Sequence, residues 1–296
     1  MTHIKEVLQR TPPPILYHYT TQQGLLGIIG NKDIWATHTQ YLNDIREYRH
    51  ALDLVTEELS TRSLAATDDA TIKYLTAMKK LISLNLESIN VCVCSFSENG
   101  DVLSQWRAYG GAASGFAIGF AGSALREISG EYGWLVPVLY DEDQQRQLVR
   151  TLMDDVFEEI REEDSHPEAH RSFTDDLVTA ATGNLLPYLH RYAPILKHKS
   201  FAEEREWRIV TRPMMYTNDR FTFRKGGSML IPYFRLSLQN QKMLGIREVV
   251  IGPTPHPYQS ACSINGLLLK NQIELTSYTP KVGVTVRCSE IPYRNW

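Results

Sequence analysis

The sequence predicts one α+β domain whose strands are interrupted by two helical insertions. Strand-length runs of β-branched and aromatic residues open and close the chain, whereas long helical patterns occupy about 45–88 and 141–199. With 296 residues, of which 43% are hydrophobic, the chain can bury a sizeable core. No repeat, low-complexity tract or flexible linker divides it. We therefore predict a single domain over residues 1–296.

The first part of the chain is predicted to alternate strands with helices. ILYHYT predicts the first strand, and TTQQGLLGIIGNK has the threonine cap and apolar spacing of a helix. DIWATHTQYLND predicts a second strand that ends in a turn, and INVCVCSFS predicts a buried strand. DVLSQWRAYG then predicts a short helix that ends at two glycines.

The rest of the chain is predicted to be mostly sheet around the second insertion. GFAIGF and WLVPVLY predict strands before it, and its acidic stretch EEIREED is typical of a solvated helix face. One helix is predicted near 259–271. The strands predicted after the insertion are EWRIV, FTFR, MLIPYFRL, REVVIGP and VTVRCSEI.

Composition limits the classes of partner and site. The formal net charge of −3 provides no global basic field for nucleic acid, and no apolar run reaches the roughly 18 residues of a membrane span. The amino terminus lacks the apolar region of a secretory signal, so we expect a cytoplasmic protein with reduced thiols. Cys92 and Cys94 lack zinc-knuckle spacing and the histidines are scattered, so we predict no metal site. Because no apolar run is long enough to span a membrane, we also predict no membrane partner.

Three pairs of polar residues stand two positions apart in or beside predicted strands. Residues at this spacing share one face of a strand. The pairs are His18 and Thr20, Ser95 and Ser97, and Glu204 and Glu206. Each pair could instead be an exposed strand edge, and Arg205 and Arg208 could neutralise the two carboxylates at the surface.

Aromatic residues near these pairs favour a pocket for a flat ligand over three exposed edges. Convergent polar groups beside aromatic rings are typical of small-molecule sites. The aromatic residues are Tyr17, Tyr19, Phe96, Trp106, Tyr109 and Trp207.

In this chain order, the His-x-Thr, Ser-x-Ser and Glu-x-Glu patterns resemble the three motifs of the ADP-ribosyltransferase superfamily. Over nearly the whole chain, other segments resemble a bacterial family known only as a domain of unknown function, which implies no activity. These segments are LYHYT, LND..EY, SFS, LSQWRAYG, GFAIGF, E.EWRIV and IPYR. The first resemblance implies a mixed two-layer β core with helical insertions and NAD as the substrate, bound in a cleft between the layers.

The same resemblance implies a role for each motif residue. Glu206 would form a hydrogen bond with a ribose hydroxyl and would stabilise the positive charge that develops as nicotinamide leaves. Glu204 would position or activate the acceptor. His18 would hydrogen-bond the adenosine-side ribose, Thr20 would support the dinucleotide from the same strand face, and Tyr19 between them would also contact NAD. Ser95 would brace the strand of Glu206, and Ser97 is the second serine of its motif.

An aromatic ring is expected to stack on the nicotinamide, and spacing leaves Tyr109, Trp106 and Tyr41 as candidates. We favour Tyr109. Arg107 could meet a phosphate in bidentate fashion or form a structural ion pair.

Other reaction types have weaker signals. No G-x-G-x-x-G or G-x-S-x-G motif is present, which argues against a Rossmann dinucleotide site and an α/β-hydrolase. HRYAPILKHKS, residues 190–200, combines basic and aromatic side chains and could hold a single-stranded nucleic acid. A solvated helix face can have the same composition.

We therefore expect a mono-ADP-ribosyltransferase that modifies a macromolecule, either protein or nucleic acid. By analogy it would be a toxin or antiphage effector that a neutralising antitoxin protein could restrain. An NAD glycohydrolase and a non-catalytic module for nucleotide sensing or partner binding remain alternatives.

Overall fold

The computed structural model describes residues 9–42, 45–84, 90–110, 115–164, 185–277 and 283–293. The strands are β1 (Ile15–Thr20), β2 (Asp33–His38), β3 (Cys92–Ser97), β4 (Phe116–Ala121), β5 (Gly133–Pro137), β6 (Glu206–Thr211), β7 (Phe221–Lys225), β8 (Leu230–Ser237), β9 (Ile246–Ile251) and β10 (Thr285–Cys288). The helices are α1 (Gln22–Asn31), α2 (Ile45–Ala65), α3 (Asp69–Leu84), α4 (Leu103–Tyr109), α5 (Gly122–Tyr132), α6 (Glu142–Asp164) and α7 (Pro257–Lys270), and residues 185–192 are also helical. The prediction of an α+β protein is confirmed.

The ten strands form one mixed, branched sheet. Its main path runs β10-β9-β4-β1-β3-β2-β8-β7, and β6 leaves this path to pair with both β3 and β5. The β9–β10 pair is parallel, and the other pairs between these strands are antiparallel. Strand β3 is therefore the branch point at which three arms of the sheet meet.

The two edges of β3 are paired differently. Along one edge, β6 pairs with β3 from Val93 to Ser97. Along the other edge, β2 pairs with Cys92 and Val93 and β1 pairs with Ser97, so the described strands leave a gap opposite residues 94–96. The sheet is thus split at its centre, next to Ser95.

Two large hydrophobic clusters cover the two faces of the sheet. One contains Phe96 and Trp207 together with side chains of α1, α5 and α7. The other contains Val93 and Val210 together with side chains of α2, α3, α6 and residues 185–196. Because Val93, Ser95 and Ser97 alternate onto one face of β3, both serines lie on the face that carries the helical insertions.

The helices α2 and α3 fall within the first predicted insertion, and α6 and residues 185–192 fall within the second. The end of the second insertion is not a solvated helix face, because Leu185, Leu189 and residues 192–197 are buried. The side chains of residues 159–164, which carry most of EEIREED, lie outside the described ones. Among the described helices, none combines the length and apolarity that a membrane crossing requires.

Candidate functional site

Side chains from all three sequence motifs line one cleft, located where β1 and β3 face each other beside the gap in the sheet. The space in and around the cleft measures about 400 Å³, a volume that includes the open solvent at its mouth. Seven of the predicted site residues line it: His18, Tyr19, Ser95, Ser97, Tyr109, Glu204 and Glu206. Tyr17, Phe96 and Gln105 also contribute to its wall.

The two glutamates reach the cleft from different elements. Glu206 is the first residue of β6, whereas Glu204 ends a 3-10 turn over Lys199–Glu204. Arg205 between them has a left-handed backbone, with φ of 42°. The expectation that both glutamates share one strand face is therefore wrong, but their carboxylates still converge, because each accepts a hydrogen bond from Lys197 Nζ.

Glu206 is buried in a cluster of charges. Lys197 Nζ lies 2.7 Å from Glu204 Oε2 and 2.9 Å from Glu206 Oε2. Arg208 is also buried, and its Nε and Nη2 donate to the two carboxylate oxygens of Glu206 at 2.7 and 2.9 Å. Arg208 Nη1 donates to the Pro194 carbonyl at 2.6 Å. Two cations thus meet two carboxylates, and this neutralisation occurs inside the protein rather than at its surface.

The ionisation of Glu206 follows from these contacts. Burial would raise the pKa of Glu206, but the charges of Arg208 and Lys197, with hydrogen bonds from Arg208 and Ser95, lower it to about 2. The Glu206 backbone N–H donates to the Tyr140 hydroxyl at 3.0 Å. Glu206 is therefore a fixed anion at neutral pH.

The two serines of β3 both support the glutamates. Ser95 hydrogen-bonds the Glu206 carboxylate. Ser97 Oγ donates to the Glu204 carbonyl at 2.7 Å and accepts from the Asn99 N–H at 3.1 Å. Ser97 therefore fixes the turn before β6, while Ser95 contacts the carboxylate itself.

His18 fills the gap in the sheet. Its Nδ1 lies 2.9 Å from the Ser95 carbonyl, and since a carbonyl can only accept, Nδ1 carries the proton. Burial lowers the pKa of His18, although the hydrogen bond to Ser95 opposes this effect. The ring is therefore neutral at pH 7, and Nε2 is left as an acceptor at the wall of the cleft.

The predicted aromatic residues separate into cleft and core positions. The Tyr109 side chain lines the cleft, and burial followed by the charges of Glu206 and Glu204 raises its pKa. The Tyr19 hydroxyl is used internally, since it donates to the Asn99 carbonyl and accepts from the Val102 N–H. Trp106 is buried edge-on to Tyr19, with its Nε1 donating to Asp101 at 2.7 Å. Tyr109 is thus the aromatic candidate that remains at the cleft.

Three other predicted contacts lie away from the cleft wall. The Thr20 side chain lies against Gly24 in the first turn of α1, where a Cβ would come within 1.9 Å of Thr20 Oγ1. Arg107 is exposed and lies over the Tyr293 ring at 5.0 Å. Tyr41 is edge-on to His38. These side chains have local packing roles instead.

The basic stretch at residues 190–200 lies partly inside the fold. Arg191 lies over the Trp134 ring at 4.5 Å, and Lys197 is buried with the glutamates. Lys199 is exposed and pairs with Glu142 at 3.3 Å. Two of its three cations are therefore engaged within the fold, which weakens the nucleic-acid interpretation.

Sequence reasoning missed Lys197, Tyr140 and Gln105 as residues of the site and assigned Arg208 only a surface role. Their positions depend on long-range packing that no local spacing encodes. The one available signal was the mixed charge of Lys197, the two glutamates and Arg208 within a short segment. Such a cluster next to a buried strand indicates internal pairing.

Comparison with protein families identifies part of the chain. Residues 105–209 match the model of a family described as "Protein of unknown function (DUF2971)". The predicted resemblance to a domain of unknown function is confirmed over these residues. The DUF2971 match covers about a third of the chain and includes Lys197, Glu204 and Glu206, while His18 and Ser95 lie before it. The searches of curated proteins and of solved structures return no match.

The arrangement can bind a polar ligand that offers hydroxyl groups and a flat ring. Glu206 and the neutral His18 accept hydrogen bonds, and Tyr109 offers an aromatic face. In the part of the chain that the structure describes, no three His, Cys, Asp or Glu residues group as metal ligands.

Proposed function

We propose that this protein binds NAD in the cleft, breaks the bond between nicotinamide and its ribose, and transfers ADP-ribose to a macromolecule. The convergence of His18, Ser95 and Glu206 from three separate strands on one cleft is the observation that supports this proposal. An ADP-ribosyltransferase-like fold is part of the proposal, and the sheet that splits at β3 is compatible with it. Fold alone would not establish the activity.

The proposed reaction uses the fixed charge of Glu206. As the bond from ribose C1′ to the nicotinamide nitrogen breaks, both bonding electrons go to nicotinamide and the ribose becomes positive. The Glu206 carboxylate stabilises this charge. An acceptor atom then bonds to C1′ and loses its proton, which Glu204 would receive. Tyr109 would stack on the nicotinamide and His18 Nε2 would accept from a ribose hydroxyl.

The biological setting follows only from the same resemblance. We propose a cytoplasmic toxin or antiphage effector, and a neutralising protein partner would suit such an activity. Labelled material in a cell extract would identify whether the acceptor is protein or nucleic acid.

One observation favours a second candidate, a module that binds a nucleotide without turnover. Both oxygens of Glu206 already accept hydrogen bonds, from Lys197 and Arg208. A carboxylate used in this way would serve structure rather than chemistry.

The test is incubation of the protein with NAD labelled in its adenylate part, with and without cell extract. Wild type should label a macromolecule and release nicotinamide, and Glu206→Gln should lower turnover by about 10²-fold or more while weakening NAD binding much less. Glu57→Gln changes an exposed glutamate of α2 that pairs with Arg146, so it should behave as wild type. Free ADP-ribose without labelled macromolecule would indicate an NAD glycohydrolase instead.

His18 needs a substitution that keeps the sheet intact. In His18→Asn, the side-chain amide can replace Nδ1 as the donor to the Ser95 carbonyl while the acceptor Nε2 is lost. This variant should fold and bind NAD more weakly. NAD binding measured by calorimetry that survives Glu206→Gln, with no nicotinamide release by wild type, would favour the binding module, and no NAD binding at all would refute the proposal.

A further inference from the structure

The buried ammonium between the two glutamates has an unusual position. Lysine is rarely buried unless paired, and here Lys197 is only 5% exposed. Its Nζ contacts Glu204 Oε2 at 2.7 Å and Glu206 Oε2 at 2.9 Å. The two oxygens can therefore be no more than 5.6 Å apart, the sum of these distances. Two carboxylates this close repel each other unless a cation lies between them.

Arg208 contacts a different set of oxygens. Its Nε and Nη2 donate to the Glu206 carboxylate, and its Nη1 donates to the Pro194 carbonyl. Lys197 Nζ joins the second glutamate, Glu204, to the buried cluster through its contacts with both carboxylates. Its Nζ also lies 4.8 Å from the centre of the Phe201 ring.

The helical insertion holds Lys197 from behind. Gln145 of α6 is fully buried, and its Nε2 donates to the Lys197 carbonyl at 2.8 Å and to the Leu139 carbonyl at 2.7 Å. The Lys197 N–H donates to the same Leu139 carbonyl at 3.1 Å. Gln145 Oε1 accepts from His50 Nε2 of α2 at 2.9 Å. The Gln145 amide therefore bonds both the Lys197 carbonyl and the Leu139 carbonyl to which the Lys197 N–H donates.

We propose that Lys197 is the positioning residue of the cleft: its ammonium holds Glu204 and Glu206 as a pair of carboxylates, and Gln145 and His50 of the helical insertions hold Lys197. Its contribution to the reaction rests on the proposed function, whereas its effect on the two carboxylates does not. The helical insertions would then contribute to the geometry of the site, in addition to covering one face of the sheet.

The central experiment is Lys197→Met, which keeps a similar length and removes the charge. Titration of the glutamate carboxyl carbons by NMR should show at least one of the pair gaining its proton about one pH unit or more higher than in wild type. Other ionisable groups near Glu206 are Arg208, Tyr109, Tyr140 and Cys94, and they are the same in both proteins. In the NAD assay, the acidic limb of the pH profile should move in the same direction.

Lys199→Met is the matched control. Lys199 is two residues away, is 70% exposed and pairs with Glu142, so its removal should leave the titration of Glu204 and Glu206 unchanged. Lys197→Arg keeps the charge and should restore a titration close to that of wild type.

Gln145→Met tests the support behind Lys197. We expect a smaller shift in the same direction, and because Gln145 acts through Lys197, the double variant should shift no further than Lys197→Met alone. If Lys197→Met does not fold, Gln145→Met and Lys197→Arg still decide the question.

Unchanged carboxyl titration in folded Lys197→Met would overturn the proposal, and so would equal shifts in Lys197→Met and Lys197→Arg. Additive shifts in the double variant would remove Gln145 from it. None of these titrations needs NAD, so a protein that fails to cleave NAD would refute the proposed function and leave this inference to be judged by its own result.

Discussion

Glu206 and Glu248 lie on the same face of the sheet, but their surroundings differ. The register runs straight across five strands, from Glu206 through Ser97, Tyr17 and Gly119 to Glu248. The partners of Glu206 have side chains only 6% and 3% exposed, at Lys197 and Arg208, whereas Arg287, the partner of Glu248, is 36% exposed. Glu248 also accepts from the Tyr17 hydroxyl at 2.8 Å.

The comparison shows that position on a sheet does not determine what a carboxylate can do. Glu206 lies where the helical insertion covers the sheet, so each lost partner would leave a charge without water. Glu248 lies near solvent, which screens its pair with Arg287. We therefore expect substitutions among the partners of Glu206 to lower the free energy of unfolding strongly, and substitutions among the partners of Glu248 to lower it only slightly.

Arg208→Met should have the largest effect on stability. It removes two donors from the buried Glu206 carboxylate and one from the Pro194 carbonyl, and we expect the free energy of unfolding to fall by about 3 kcal/mol or more. Urea unfolding followed by circular dichroism measures this change. Arg287→Met is the counterpart at the other end and should cost about 1 kcal/mol or less. Similar losses in the two variants would contradict the comparison.

Acid should weaken the Glu206 end specifically. The pKa of Glu206 is about 2 in the folded protein, whereas the ordinary pKa of a glutamate, expected in the unfolded chain, is 4.5. The stability that the ionised carboxylate contributes is therefore present above pH 4.5 and is lost as pH falls through 2. This gap corresponds to about 3 kcal/mol. The difference in unfolding free energy between wild type and Glu206→Gln should therefore shrink as pH falls from 5 towards 2. A difference that stays constant over this range would show that the carboxylate is not held ionised by its partners.

Tyr17→Phe should have a small effect, like Arg287→Met. Burial, followed by the hydrogen bond to Glu248 and its charge, raises the pKa of Tyr17 to about 12. The substitution removes that hydrogen bond but keeps the ring, which lies over Gly100 and Gly119, where a Cβ would come within 2.5 and 2.9 Å of ring carbons. We expect a loss of about 1 kcal/mol in unfolding free energy. A loss as large as that of Arg208→Met would mean that the ring position itself depends on Glu248.

The strands were predictable from sequence because their signal is local. The two-residue period of β1 and β3, and the runs that became β6, β8 and β9, report burial within a few residues. That His18, Ser95 and Glu206 share a site was implied by the aromatic residues beside the polar pairs and by the resemblance to the ADP-ribosyltransferase motifs, and all three line one cleft. Local spacing misplaced Glu204, since the left-handed backbone of Arg205 separates the turn that ends at Glu204 from β6, which begins at Glu206.

The rest of the site depended on contacts between distant parts of the chain. Lys197 has the sequence context of a surface base, and only the packing of α6 behind it makes it a buried cation. Trp106 and Thr20 have types suited to a ligand contact, yet Asp101 and Gly24 occupy them locally. Residue type identified candidates, and tertiary packing decided between them.

The hydrogen bonds of Gln145 have a practical consequence for protein engineering. Removing residues 141–199 is an obvious way to shorten the chain, because this deletes the second helical insertion and keeps every strand from β6 onward. It would also delete the ammonium that separates two anions and the amide that anchors it. Trimming for crystallisation or expression should therefore spare this segment and begin at surfaces remote from the glutamates.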